Sequence, residues 1–216
     1  MGFYTEAYQK LKEICEKKNI TLVAVSKIRT EKDITAAYSL GQLDFGENYV
    51  QELVAKSSSL PSDIRWHFIG HLQTNKVKYI APFIYLVHGI DNEKLLSELN
   101  RQATKNNRKI NCLLQVHIAE EETKFGFSAD EISKIELEKY PSLNICGLMG
   151  MATFTFDKDQ IRKEFSSLSN LFKALQKSNT AFTILSMGMS SDYEIAIEEG
   201  STLIRVGSLI FGERNA

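Results

Sequence analysis

Strand-like and helix-like segments alternate along the whole chain, and this alternation limits the possible folds more than any other feature. Several of the eight strand-like runs are almost continuously apolar, as expected for parallel strands covered on both faces. The runs are TLVAVSK (21–27), LDFGEN (43–48), IRWHFIG (64–70), IYLVHGI (84–90), INCLLQVHIA (110–119), LNICGLMGMATF (143–154), FTILSMGM (182–189) and TLIRVGSLIFG (202–212). Between them lie amphipathic segments with apolar residues three and four positions apart, which is the spacing of helices.

Eight strands that are each followed by a helix are typical of an α/β fold, the (β/α)8 or TIM barrel. Alternation alone does not show that the sheet closes, so a doubly wound open sheet remains the alternative. The segment 3–18 precedes the first strand and predicts an extra N-terminal helix over the bottom or side of the barrel. Because no Pro/Gly-rich linker or change in composition interrupts the chain, we expect residues 1–216 to form one domain.

Two helix starts carry recognisable capping residues. Asp157 is expected to cap a helix over 158–178. Ser128 and Glu131 form a capping-box pattern, which predicts a helix near 130–139.

The composition argues against several classes of function. The 216 residues are 43% hydrophobic, and 26 basic residues against 27 acidic ones give a formal net charge of −1. Nucleic-acid-binding domains are usually clearly basic, so we expect no nucleic-acid partner. No run approaches the ~20 apolar residues of a membrane helix, and the charged N-terminus does not resemble a secretion signal. Cys15, Cys112 and Cys146 lack metal-ligand spacing, so we interpret them as reduced packing residues of a cytoplasmic protein.

Polar residues at the carboxyl ends of the predicted strands are the candidates for binding or chemistry, because both folds bind ligands there. Lys27 is the most unusual of them, since it follows a buried strand and has no acidic neighbour. Its ammonium group can reach solvent along an apolar stem. Alternatively, desolvation lowers the pKa of the Lys27 amine and makes it a nucleophile.

Two strand ends together predict a phosphate site. Ser190 and Ser191 precede a predicted helix over 192–199, whose first N–H groups carry the positive end of the helix dipole. Gly207 allows the backbone to approach an anion, and Ser208 supplies a hydroxyl donor. Either loop alone is better explained as a helix cap or a turn. Both lie on adjacent strands in the usual phosphate position of such barrels, so a phosphate site and a pair of structural turns are left as equal alternatives.

Lys27 and Arg205 are expected to lie close together, because the first and last strands of a closed barrel are neighbours. An amine, a guanidinium group and a phosphate site on one rim suggest a phosphorylated aldehyde bound as a Schiff base. Pyridoxal 5′-phosphate is the obvious candidate.

The histidines do not suggest a metal site. His67 and His71 are four residues apart, which is metal-ligand spacing on a helix, but on a strand they lie too far apart to share an ion easily. We place His71 at the mouth of the pocket. His67, His88 and His117 are interpreted as structural residues.

Several motifs resemble those of the pyridoxal phosphate homeostasis proteins, the YggS/PROSC family. They are AVSK, FGENYVQEL, WHFIGHLQTNK, ETKFGF, GLMGMA, LSMGMSSDYEIAIEEGSTLIRVG and IFGER, and the resemblance extends from about Thr21 to Arg214. It implies a fold similar to the barrel domain of bacterial alanine racemase, an internal aldimine on Lys27, and Arg205 facing the pyridine nitrogen. The remaining implied residues are Ser190, Ser191, Gly207 and Ser208 at the phosphate, with Asn48 and Met149 along the cofactor.

The resemblance also implies a protein that buffers and delivers the cofactor inside the cell without robust catalysis. Arg205 cannot give up its proton at ordinary pH, so it would leave the pyridine nitrogen unprotonated and the ring a poorer electron sink. Alanine racemase also has this arginine and uses a tyrosine from a second domain as a second base. We expect 216 residues to be too few for that domain. A small racemase or lyase that uses pyridoxal phosphate is the alternative.

The expected partners follow from this function. They are the cofactor itself and, transiently, the apo forms of enzymes that use it. We expect a monomer, because a barrel rim without a covering domain leaves the cofactor accessible.

Overall fold

The computed structural model describes residues 2–121 and 125–213, so parts of the ETKFGF and IFGER motifs lie outside the described residues. Its centre is a closed barrel of eight parallel strands in chain order, with the last strand paired to the first. The strands are β1 (Thr21–Val25), β2 (Asp44–Glu47), β3 (Arg65–Phe68), β4 (Leu86–Ile90), β5 (Ile110–Gln115), β6 (Leu143–Met149), β7 (Ile184–Ser186) and β8 (Leu203–Val206). The predicted TIM barrel is confirmed, and the open sheet is excluded.

Helices surround the barrel, and short turns of 3₁₀ helix lie at Thr74–Lys76 and Leu137–Lys139. The α-helices are α1 (Thr5–Lys17), α2 (Glu31–Ser39), α3 (Val50–Ser59), α4 (Val77–Ile80), α5 (Glu93–Lys105), α6 (Ala129–Lys134), α7 (Lys158–Ser178), α8 (Tyr193–Glu198) and α9 (Ser208–Phe211). In the part of the chain that the structure describes, none of them is long and apolar enough to cross a membrane.

The extra N-terminal helix is present as α1, which packs against β1 and α9. Its buried side chains are those of Tyr8, Leu11 and Cys15. The backbone N–H of Tyr4 donates to the carbonyl oxygen of Ile210 at 2.7 Å, which fastens the start of α1 to α9. Helix α1 therefore covers the side of the barrel next to β1 and the short helix that follows β8.

Both predicted helix caps are present. Asp157 Oδ1 accepts hydrogen bonds from the backbone N–H groups of Asp159 and Gln160, at the start of α7. Ser128 and Glu131 form the reciprocal bonds of a capping box. The helix that this box begins is shorter than predicted, because α6 ends at Lys134 and a separate 3₁₀ turn follows.

The apolar run at 202–212 was wrongly predicted as one strand. Only Leu203–Val206 forms β8, and after a turn at Gly207 the chain continues as helix α9. Ile210 and Phe211 of α9 are buried, and a short buried helix gives the same apolar run as a buried strand. The other strands are also shorter than the runs that predicted them, because the ends of the runs form the loops.

The apolar core has two parts. The larger part lies between the strands and the surrounding helices, and the smaller part lies inside the barrel. The inner cluster consists of Val23, Leu86, Leu113, Cys146, Met149 and Leu203.

All three cysteines are free and buried, as a packing role predicts. Burial raises the pKa of the Cys15 and Cys146 thiols to about 11. It also raises the pKa of the Cys112 thiol well above its usual value. The three thiols are therefore protonated at neutral pH and act as small apolar groups.

Candidate functional site

A cavity of about 460 Å³ lies at the carboxyl ends of the barrel strands. Seven of the predicted site residues line it, namely Lys27, Asn48, Ser190, Ser191, Arg205, Gly207 and Ser208. The remaining walls are formed by Val25, Arg29, Ile69, Met151, Phe154, Met189 and Gly212. Lys27 and Ser208, which are 181 positions apart in the sequence, are brought to one site because β1 pairs with β8.

Lys27 lies two residues beyond the end of β1 and is partly buried at the cavity wall. Asn48 lies one residue beyond the end of β2, and its Oδ1 atom is buried with no hydrogen-bond partner in the described structure. Buried amides are normally satisfied. The carboxamide of Asn48 therefore has unused hydrogen-bonding capacity next to the cavity, which a ligand can take up.

The loops after β7 and β8 are joined by a hydrogen bond of 3.3 Å from the Gly207 N–H to Ser190 Oγ. Helix α8 begins after Asp192, whose Oδ1 accepts from the Met189 N–H at 2.6 Å, so Ser190 is not the helix cap. A Cβ at position 207 would lie 3.2 Å from the carbonyl oxygen of Val25. Glycine at 207 therefore allows the β8 loop to lie close to the end of β1.

Arg205 rises from β8 inside the barrel and is only 4% exposed. It donates to Ser186 Oγ at 2.5 Å and to the carbonyl oxygen of Gly150 at 3.2 Å. Burial lowers the pKa of Arg205 to about 10, although the charge of Asp192 opposes this shift. The guanidinium group therefore keeps its proton at neutral pH.

A chain of hydrogen bonds, here called the barrel relay, continues from Arg205 and Ser186 across the interior. Ser186 Oγ lies 3.0 Å from His88 Nδ1, and His88 Nε2 lies 2.9 Å from His67 Nδ1. His67 Nε2 then lies 3.0 Å from Asp44 Oδ1. Every link is satisfied if both imidazoles are neutral and carry their proton on Nε2, because each group then donates to the next.

Burial lowers the pKa of His88 well below its usual value, and His67 and Arg205 lower it further. This supports the neutral form of His88 that the barrel relay needs. The sequence predicts a structural role for His67 and His88. Their contact could not be predicted, because they lie 21 residues apart on separate strands. At the far end of the barrel relay, Asp44 also forms a salt bridge with Arg65.

Two of the predicted site residues lie away from the cavity walls. Met149 is 1% exposed and belongs to the cluster inside the barrel, whereas Met151 lines the cavity. His71 is exposed, with Nδ1 at 2.9 Å from Asp91 Oδ2 and its ring stacked on Phe125. Sequence reasoning did not select Met151, because it lies in the loop after the strand that holds Met149.

Within residues 2–121 and 125–213, no cluster of three or more His, Cys, Asp or Glu side chains is arranged to hold a metal ion.

Comparison with known proteins shows the family of the chain. Residues 4–215 match the family model of the alanine racemase N-terminal domain. A pyridoxal phosphate homeostasis protein of Aquifex aeolicus is 38% identical over 217 residues, which span 95% of this chain and 94% of that protein.

Solved structures agree with this result. PipY of Synechococcus elongatus, with pyridoxal phosphate bound, is 32% identical, has a TM-score of 0.84, and matches over 95% of this chain and 100% of its own. The same protein without pyridoxal phosphate has a TM-score of 0.88, over 94% of this chain and 99% of its own. Alanine racemase of Clostridium difficile, at 13% identity and a TM-score of 0.76, shares the fold over 98% of this chain and 56% of its own. The chain therefore belongs to the family of pyridoxal phosphate homeostasis proteins, with the fold of the alanine racemase N-terminal domain.

Proposed function

We propose that this protein binds pyridoxal 5′-phosphate as a Schiff base on Lys27 and serves to buffer and deliver that cofactor. The observation that carries the proposal is the meeting of an amine, a guanidinium group and two Ser/Gly loops in one cavity. These groups suit the three functional parts of the cofactor, which are its aldehyde, its ring nitrogen and its phosphate. The family name and the pyridoxal phosphate bound to PipY support the same assignment.

The amine of Lys27 is the group that reacts with an aldehyde. Its nitrogen forms a carbon–nitrogen double bond to the aldehyde carbon, and the aldehyde oxygen leaves as water. The hydroxyls of Ser190, Ser191 and Ser208 are available to donate to phosphate oxygens, with Gly207 allowing close approach of the backbone. The unused capacity of Asn48 is available to a polar group of the ring.

Arg205 favours storage over catalysis. With a pKa of about 10, Arg205 keeps its proton at neutral pH and would donate to the pyridine nitrogen, which would leave that nitrogen without a proton. Arg205 would thereby make the bound cofactor a poorer electron sink. Ser191 and Ser208 are exposed, so the phosphate end of a bound cofactor is reachable from solvent. This arrangement suits release to apo enzymes, and we propose that one barrel, acting as a monomer, is sufficient for it.

The proposal is tested by adding pyridoxal phosphate to the cofactor-free protein. A protonated Schiff base should produce an absorption band at about 420 nm. Borohydride should fix the cofactor to the peptide that contains Lys27. Lys27→Ala should abolish both signals, whereas Lys32→Ala, at an exposed lysine on α2, should keep them. An unchanged band in Lys27→Ala would contradict the proposed site.

The likeness to alanine racemase supports a second candidate, a small racemase or lyase that uses the same Schiff base. The two functions differ in turnover. The cofactor-loaded protein is incubated with several L-amino acids, and D-enantiomers and keto acids are measured. Turnover above about 1 s⁻¹, near the low end for ordinary enzymes, would favour the enzyme. A carrier should instead restore the activity of an apo enzyme while showing no such turnover.

A further inference from the structure

The backbone on both sides of Lys27 is held by side chains from other elements. Ser26, which is fully buried, donates from Oγ to Glu47 Oε1 at 2.6 Å. The carbonyl oxygen of Ser26 accepts from Lys56 Nζ at 2.8 Å. On the other side, the backbone N–H of Ile28 donates to Glu52 Oε1 at 2.6 Å. Lys27 is thus at the centre of a turn, and the residues on both sides of it, Ser26 and Ile28, are held by hydrogen bonds.

The side chains that hold this turn form one ionic cluster, in which Glu47 and Lys56 are buried and Glu52 is partly buried. Lys56 Nζ lies 2.7 Å from Glu47 Oε1 and 2.6 Å from Glu52 Oε1, in addition to its bond to the Ser26 carbonyl. These three bonds use all three N–H donors of the ammonium group. Lys56 is only 5% exposed, and a lysine is seldom buried to this degree unless it is paired. The motif FGENYVQEL, from β2 to α3, supplies both carboxylates.

The turn needs to be held, because its backbone is strained. Ile28 has a φ of 60°, the left-handed region that a β-branched residue rarely adopts. Ile28 is 64% exposed, so apolar burial contributes little to fixing this conformation. The hydrogen bond from its N–H to Glu52 is a direct restraint on it.

We propose that Glu47, Glu52 and Lys56, here called the turn clamp, are positioning residues that keep the amine of Lys27 facing the cofactor cavity. The turn clamp contacts Ser26 and Ile28, and its action on Lys27 is through the backbone. This inference rests on the proposed function, because it assigns these residues a task in Schiff-base formation. Disturbing the turn clamp should therefore weaken cofactor binding.

The test compares Glu52→Ala with Glu31→Ala. Glu31, at the start of α2, accepts a bond of 2.6 Å from Ser59 Oγ on α3, but it forms no hydrogen bond with residues 26–28. Loss of a hydrogen bond and ion pair to a carboxylate should raise the Kd for pyridoxal phosphate about tenfold in Glu52→Ala. Glu31→Ala should keep the Kd of the parent protein. Glu52→Gln should recover part of the loss, since its amide oxygen can still accept from the Ile28 N–H.

A second measurement uses the cofactor-free protein. Hydrogen exchange of the Ile28 amide, followed by NMR, should be at least about tenfold faster in Glu52→Ala than in Glu31→Ala. If the two variants have the same Kd, or if the exchange of Ile28 does not change, the positioning role is refuted. If the parent protein itself lacks a Lys27-dependent band, the proposed function fails, and the exchange experiment still decides whether the turn clamp holds the turn.

Discussion

Acidification should destabilise this protein through His88. Its imidazole is fully buried in the barrel relay, where burial and the neighbouring His67 and Arg205 lower its pKa well below the usual 6.5. In the unfolded chain, the same side chain takes up a proton near its usual pKa. Below that pH the unfolded state binds more protons than the folded state, so the free energy of unfolding decreases as the pH decreases.

The magnitude follows from the difference in proton binding. Consider a group whose pKa is about 6.5 in the unfolded chain and that stays neutral in the folded protein. Its protonation stabilises the unfolded state by about 1.4 kcal/mol at pH 5.5 and by less than about 0.1 kcal/mol at pH 7.5. The contribution of His88 to the decrease in unfolding free energy between these pH values is therefore about 1.4 kcal/mol. The full decrease requires that folded His88 takes up no proton at pH 5.5, which its complete burial and its lowered pKa favour.

Urea unfolding of the cofactor-free protein at pH 7.5 and pH 5.5 measures this decrease. His88→Asn keeps a polar group near Ser186 but removes the ionisable ring, so its decrease should be smaller than that of the parent by about 1.4 kcal/mol. His117→Asn is the control, because His117 is only partly buried and bonds the carbonyl oxygen of Glu121 outside the barrel relay. Equal decreases in His88→Asn and the parent protein would refute the reasoning.

Two further predictions concern the barrel and the phosphate loops. Gly147→Ala should destabilise the fold by at least about 3 kcal/mol, because a Cβ on β6 would lie 1.7 Å from the carbonyl oxygen of Ile184 on β7. In urea unfolding, Gly2→Ala is the matched control, since nothing lies within 4 Å of its Cβ. Ser208→Ala should raise the Kd for pyridoxal phosphate about fivefold while leaving binding of pyridoxal, which has no phosphate, unchanged. Equal losses for both compounds in a spectral titration would contradict a phosphate role for Ser208.

Features that depend on neighbouring residues were predictable from the sequence. Helix α7 has the predicted bounds, because Asp157 is a local cap and the apolar spacing continues to Ser178. The capping box at Ser128 is equally local. The order of the strands and the rule that ligands bind at their carboxyl ends then predicted the group of residues that line the cavity, including Lys27 and Arg205.

Features that depend on contacts between distant elements were not predictable. The turn clamp joins Glu47 on β2 to Lys56 on α3, and the sequence shows only two charged residues nine positions apart. The barrel relay joins histidines on β3 and β4, whose meeting depends on the register of those strands. The apolar run at 202–212 has no periodicity that distinguishes a buried helix from a buried strand, so the sequence does not predict helix α9.

The barrel relay and the turn clamp each contain a carboxylate from the same short strand. Strand β2 has the sequence DFGE, and successive side chains of a strand point to opposite faces. Asp44 and Gly46 face the interior of the barrel, where Asp44 ends the barrel relay, and Glu47 faces α3, where it joins the turn clamp. Burying a carboxylate is costly unless it is paired, and both of these are paired, Asp44 with Arg65 and Glu47 with Lys56. The alternation of β2 therefore connects one face of the strand to Arg205, through the barrel relay, and the other face to the turn at Lys27, through the turn clamp.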